Sequence, residues 1–363
     1  METPYLTIDL EKIEHNSRII VSLFRQNGIG VYGVTKATCG HPRVAEAMLR
    51  GGVDGIADSR FENIRRMQEA GIESDYLLLR IPPLSAVDEV VRLVGRSLNS
   101  ELSVLAALST AAAKAGRTHE VILMVDLGDL REGVWPDQLI PLAREAQKLP
   151  ALHIAGIGSN LACFCGVEPS SENMDRLVIL AGEVERACGI TLETITAINS
   201  SGLDLLQQGE MPQRINQARI GEGILLGRET IKRNPWPNTH QDAFLLHAEI
   251  LELKRKPTRP TGRQGEDAFG GRPKFSDRGV RLRALLNVGR EDVDVAGITP
   301  LDLGLQVIGA SSGYLVVDVT DSATDCRVGD RLIFSLDYSA LLTAMTSEYV
   351  KKMALTGAGL AVG

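Results

Sequence analysis

Between about residue 30 and residue 227 the chain repeats one unit eight times, a short apolar run followed by a stretch with helical spacing. The runs are 31–36 (VYGVTK), 55–59 (GIADS), 76–81 (YLLLRI), 97–100 (SLNS), 121–127 (VILMVDL), 153–160 (HIAGIGSN), 195–200 (ITAINS) and 218–220 (ARI). Such alternation is the pattern of βα units around a parallel sheet, and eight units close into a (β/α)8 barrel. An open doubly wound sheet shares the alternation, but no GxGxxG turn follows the first run. Helix limits are legible too: Ser100-Glu101 precedes LSVLAALSTAAAKAG, and Gly116 is suited to end it.

Past residue 235 the texture changes. The segment 231–241 (IKRNPWPNTHQ) reads as a linker, and 254–283 is rich in Pro, Gly and charge. The alternating runs HAEILEL, RLRALLNVG, YLVVDVTD and RLIFSL then predict a smaller β domain. The expected division is a barrel over 11–235 and a β domain over 236–363, joined by an N-terminal strand at 4–10. A length of 363 residues suits a barrel of about 250 residues with a smaller partner.

Composition excludes several classes. A net charge of −7 and 4% aromatics supply neither the basic footprint nor the stacking surface of a nucleic-acid binder. No run of about 18 apolar residues occurs, and the start METPYLTIDLEKIEHN has no apolar signal core. Cys39, Cys163, Cys165, Cys188 and Cys326 are odd in number and without CxxC spacing, so they read as reduced thiols. The expectation is a soluble cytoplasmic protein with no nucleic-acid or membrane partner.

Nearly every run ends on a polar residue: Lys36, Asp58, Arg80, Asn99, Asp126, Asn160, Ser200 and Arg219. In a barrel these ends meet on the face where chemistry is done, although strand ends also turn polar simply because they meet water. Lys36 is the most informative. An amine with a buried stem loses affinity for its proton and becomes a nucleophile toward an aldehyde; a lysine snorkelling to solvent is the plain alternative. After the seventh run, Asn199-Ser200-Ser201-Gly202 offers hydroxyls and backbone N–H groups. After the eighth, Gly221-Glu222-Gly223 offers a second nest, and the last two βα loops of a barrel are the usual phosphate site. Arg131, in the charged loop DLGDLREG, can face an anion or sit in a salt bridge.

These residues fall within motifs that resemble the alanine racemase superfamily, most closely its ornithine racemase branch. The motifs are VTKAT around Lys36, ADSR at 57–60, LRIP at 79–82, NSEL at 99–102, MVDLGDLREG at 124–133, NSSG at 199–202, RIGEGILLGRE at 219–229, DAFG at 267–270, GASS at 309–312 and TSEYV at 346–350. The resemblance implies pyridoxal 5′-phosphate bound through Lys36, with Lys36 and Arg131 catalytic. It further implies Asn160, Ser200, Arg219, the Gly221–Glu222 backbone and Tyr338 as cofactor-binding residues, and a head-to-tail homodimer with shared active sites. Arg219 on the pyridine nitrogen would keep that nitrogen unprotonated, which favours racemisation over transamination.

Three departures from alanine racemase follow. Met124 stands where that enzyme has a carbamylated lysine supporting its arginine, and Asn160 where it has a histidine. Its acid–base tyrosine is replaced in Gly289-Arg290-Glu291-Asp292. Two-base racemisation needs a group on each face of the reacting carbon, so the second must come from elsewhere. Asp267, Asp292, Ser311, Ser312 and Tyr314 are the candidates. The expected function is an amino-acid racemase acting on ornithine, another basic amino acid or alanine; Glu132, Glu222, Asp267 and Asp292 can hold a cationic side chain or be solvated loop carboxylates. A pyridoxal-phosphate decarboxylase, for which Cys326 is the available second-domain thiol, a non-catalytic cofactor carrier, and a sugar-phosphate or other barrel enzyme without this cofactor are the alternatives.

Overall fold

The structure is a computed structural model and describes residues 2–356 and 359–362. The chain divides into two compact units, Leu10–Gln241 and the rest of the described residues.

In the first unit the strands are β2 (Gly30–Val34), β3 (Gly55–Asp58), β4 (Tyr76–Leu78), β5 (Arg96–Asn99), β6 (His119–Met124), β7 (Leu152–Gly158), β8 (Thr194–Ile198) and β9 (Gln217–Ile220). β1 (Tyr5–Asp9) precedes them in the chain but belongs to the other unit. All eight expected runs form strands, each parallel to its neighbours, and β9 closes on β2 with Tyr32 opposite Arg219. Helices cover the outer face, which is why the strands are buried on both sides and read as apolar runs rather than alternations. Tyr32, Val34, Ala57, Leu77, Leu98, Ile122 and Met124 pack as one apolar cluster.

The first helix, α1 (Leu10–Arg25), buries Leu10, Ile13, Ile20, Val21 and Phe24 at helical spacing. Its Asn16 is also fully buried. That side chain donates to Ile224 O (3.0 Å) and His240 O (2.8 Å) and accepts from His240 N (2.7 Å), fastening α1 to the segment leaving the barrel.

In the second unit one sheet runs β13 (Gln306–Ala310), β14 (Leu315–Asp318), β11 (Val280–Leu286), β10 (Phe244–Pro257), β1, β16 (Lys351–Thr356) and β17 (Gly359–Val362). β15 (Arg331–Leu336) also pairs with β10, and β12 (Ile298–Pro300) pairs with β15. β1 is antiparallel to β10 and parallel to β16. The four alternating runs correspond to β10, β11, β14 and β15. Strands β12, β13, β16 and β17 were not expected. β12 is three residues ending in Pro300, and β13 carries a register shift at Gly309, so neither shows a clean alternation. Among the described residues, no helix is long and apolar enough to cross a membrane.

His119 opens β6, fully buried, with its Nε2 2.7 Å from Ser97 Oγ. Burial, reinforced by the charge of Arg117, pushes its imidazole down to about 4 from 6.5. A ring that is neutral when folded and charged when unfolded removes stability as pH falls from 6.5 toward 4. Urea unfolding at pH 6.5 and 4.5 should therefore show wild type losing roughly 2–3 kcal/mol more over that interval than His119→Gln.

Candidate active site

Lys36 does not end the first barrel strand, as its run suggested. β2 stops at Val34, and Lys36 opens a 3₁₀ turn, Lys36–Thr38. The cause lies one residue earlier. Thr35 leaves the extended region (φ −99°, ψ 1°), its carbonyl accepts from Thr38 N (2.9 Å), and its hydroxyl donates to Asp58 Oδ2 (2.8 Å). Asp58, at the end of β3, also accepts from Arg60 N and Asn63 Nδ2, both at 2.9 Å. Burial pushes the Asp58 carboxyl up, and these hydrogen bonds oppose the shift. The polar end of β3 is thus an anchor that fixes the turn carrying Lys36. Lys36 is half-buried, and its ammonium pairs with no carboxylate among the described residues.

The loops after β8 and β9 are bonded to each other. Ser200 Oγ accepts from Gly223 N at 2.9 Å, leaving the hydroxyl proton to donate. A Cβ at Gly223 would come within 3.3 Å of that oxygen. Asn199 shapes the first loop, accepting from Ser201 N (2.7 Å) and donating to Leu161 O (2.9 Å). Ser159 Oγ, Asn160 Nδ2 and Ser201 Oγ are buried polar atoms without a hydrogen-bond partner among the described residues. Gly221 caps the short helix Glu222–Leu225.

Arg219 is fully buried in β9. Its Nε donates to Thr196 Oγ1 (3.0 Å) and its Nη2 to Ser159 O (2.5 Å), so Nη1 is unspent. Burial pushes this guanidinium down to about 10, and the carboxylate of Glu132 acts against that. Arg131 is gripped by Glu132 through Nε and through Nη2 (2.6 Å). The pairing raises Arg131, while burial of Glu132 is outweighed by Arg131 and leaves that carboxyl below its usual range. The Cys163 thiol lies beside this group, accepting from Asn199 Nδ2 at 3.5 Å. It is positioned by Asp129, whose carboxylate accepts from Cys163 N (3.3 Å), Phe164 N (3.0 Å) and Cys165 N (3.1 Å).

The four carboxylates expected to meet a cationic substrate are all engaged within the chain. Glu132 holds Arg131, and Glu222 pairs with Arg233 (2.5 and 2.6 Å). Asp267 caps its own turn through Phe269 N (2.9 Å) and Gly271 N (2.8 Å). Asp292 is buried between Gly289 N (2.9 Å) and Ser347 Oγ (3.3 Å). Loop acids read as solvated in sequence because their partners are backbone amides or close neighbours.

In the β unit the remaining candidates converge. Arg290 N donates to Ser311 O (3.0 Å) and Glu291 N to Ser312 O (3.1 Å), while Arg290 lies 4.3 Å over the Phe269 ring. DAFG, GRED and the Ser311–Tyr314 turn therefore share one patch. Ser311 Oγ accepts from Tyr314 N (3.2 Å), and the Tyr314 side chain is half exposed. Tyr338 opens the helix Tyr338–Thr346 of the same unit. Cys326 lies in its own turn, 3.6 Å from Ser322 Oγ.

Residues 8–228 match the family described as "Alanine racemase, N-terminal domain". The chain is 40% identical over 350 residues to ornithine racemase of Acetoanaerobium sticklandii, covering 96% of this chain and 99% of that one. It is 39% identical over 353 residues to lysine racemase of Thermotoga maritima, covering 97% and 99%. The chain belongs to the alanine racemase family. It is an amino-acid racemase of a family that uses pyridoxal 5′-phosphate. Alanine racemase of Clostridium difficile 630 shares the fold over 99% of this chain and 98% of that one, with a TM-score of 0.76 at 19% identity.

Sequence reasoning singled out Lys36, Arg131, Asn160, Ser200 and Arg219, and the barrel brings their segments to the carboxyl ends of its strands. It missed the anchoring roles of Asp58 and Asp129, the link of Glu132 to both arginines, and the position of Cys163. The adjacency of Arg131 and Glu132 was the one available signal. Asp129→Ala should speed amide hydrogen exchange at Phe164 and Cys165 by about tenfold or more, since each loses its charged acceptor, while the melting temperature falls by only a few degrees.

Proposed function

We propose that the protein racemises a basic amino acid, ornithine or lysine, using pyridoxal 5′-phosphate bound through Lys36. The observation carrying this reading is the half-buried Lys36, on a turn pinned by Thr35 and Asp58 and without a carboxylate partner among the described residues. The substrate class is supported by the two relatives about 40% identical over nearly the whole chain.

The residues present fit the cofactor. Ser200 retains a hydroxyl proton beside the Gly221–Gly223 backbone, and Ser201 Oγ is a buried hydroxyl awaiting a partner, which together suit a phosphate. Arg219 keeps Nη1 for a ring nitrogen, and a guanidinium held in the barrel by Thr196 and Ser159 suits a permanent donor rather than a proton carrier. Asn160 Nδ2 is another buried donor without a partner among the described residues. Arg131 is assigned to the phenolic oxygen and Tyr338 to the phosphate. When bound, the cofactor withdraws electrons from Cα and makes its proton removable.

Lys36 moves the proton on one face of Cα. The group for the other face is assigned to the β unit, where Tyr314 has an exposed phenol, whereas Asp292 is buried and both its oxygens are engaged. This reading includes a homodimer in which each β unit completes a partner's site. Support comes from Leu130 (61% exposed), Trp135 (55%) and Phe164 (70%), large apolar side chains on the loops after β6 and β7. A cytoplasmic setting is supported by five free thiols.

Incubation with L-ornithine or L-lysine in deuterated water should give the D-enantiomer with deuterium at Cα, followed by chiral chromatography and mass spectrometry. Lys36→Ala should abolish both the reaction and the absorbance at about 420 nm expected of the bound cofactor. Tyr314→Phe should slow interconversion by roughly 100-fold while Cα exchange continues in the enantiomer served by Lys36. Full interconversion in Tyr314→Phe would exclude that tyrosine.

A further inference from the structure

Glu132 is engaged in a way that a solvated loop acid would not be. It meets Arg131 side-on, through Nε and Nη2, which leaves the Nη1 edge of the guanidinium uncovered. It is the more buried partner, its side chain 19% exposed against 39% for Arg131. The same carboxylate acts on fully buried Arg219, which Arg131 repels. The carboxylate is therefore bonded to one cation and acts electrostatically on a second. Met124, lower on the same segment, is a thioether and supplies no charge.

The backbone is shaped to present this pair. Neighbouring side chains on an extended strand point to opposite faces, so gripping residue 131 from residue 132 requires a contorted loop. Leu130 has φ +54° and Gly133 φ +124°, and a Cβ at Gly133 would lie 2.5 Å from Asp126 N. Asp126 ties the loop from within, its Oδ1 accepting from Gly128 N (2.8 Å) and Leu130 N (3.2 Å). The loop is closed at its base by Asp126 N to Val134 O (2.9 Å) and Val134 N to Met124 O (3.0 Å). A surface ion pair would not need this framework.

We propose that Glu132 is the positioning residue for Arg131. It clamps Arg131 so that Nη1 faces the ligand. The inference rests on the cofactor reading above.

The test uses the purified holoenzyme and compares wild type with Glu132→Gln, which keeps the shape and loses the charge, and with Glu132→Asp, which keeps the charge. Cofactor affinity is measured by titration of the stripped enzyme with pyridoxal 5′-phosphate, and the visible band is followed against pH. Glu132→Gln should weaken cofactor binding roughly tenfold and move the pH midpoint of the band in the same direction as Arg131→Met does, because Arg131 is released. Simple loss of a nearby anion would move it the opposite way, and that result overturns the proposal. In an Arg131→Met background, Glu132→Gln should add less than about twofold; an undiminished effect there also overturns it. Glu132→Asp should restore the wild-type midpoint at least in part, and is the variant read should Glu132→Gln not fold; a midpoint for it equal to that of Arg131→Met counts against the clamp. Absence of the band in wild type, or its survival in Lys36→Ala, would defeat the cofactor reading itself. A normal wild-type band that Glu132→Gln leaves unchanged would defeat this inference alone.

Discussion

Closure of β9 onto β2 is the contact on which the site depends. The two strands are separated by about 180 residues of chain, yet their register sets Val31 against Ala218, Tyr32 against Arg219 and Gly33 against Ile220. Lys36 leaves the top of one strand and Gly221 the top of the other. A barrel that failed to close, or closed with its register slipped, would separate the lysine from the buried arginine and from the Ser200–Gly223 link. Parallel pairing on both sides makes such a slip costly, because it would turn every inward side chain of a strand to the wrong face.

Charge at the barrel mouth is unevenly divided. Lys36, Arg131 and Arg219 contribute cations, and Glu132 is the carboxylate that acts on both arginines. Asp58 at the end of β3, and Asp126 and Asp129 in the loop of Arg131, are turned inward onto backbone amides or neighbouring side chains. The acids thus serve as internal fasteners while the bases keep donors in reserve. An acidic protein can in this way keep a locally electropositive barrel mouth.

Much of this was legible in the sequence, for an identifiable reason. Strands covered on both faces write themselves as continuous apolar runs, and all eight were found. What escaped was set by partners distant in the chain. That Lys36 belongs to a turn rather than a strand follows from Thr35 reaching Asp58, which no local pattern announces. The grouping of Asp267, Arg290 and Tyr314 depends on how the sheet of β10, β11, β13 and β14 folds back, not on spacing. The role of Glu132 was hidden because a charged loop residue looks the same in sequence whether it faces water or a buried arginine.

The place of β1 in the second sheet has a consequence for synthesis. A ribosome delivers Tyr5–Asp9 ahead of both its neighbours: Phe244–Pro257 arrives only after the barrel, and Lys351–Thr356 only after most of the remaining chain. Until then a strand with both edges open must wait, able to pair wrongly with any exposed edge it meets. Completion of the sheet is therefore a late and long-range step, and the barrel gains its local βα contacts while β1 still lacks the two strands it joins.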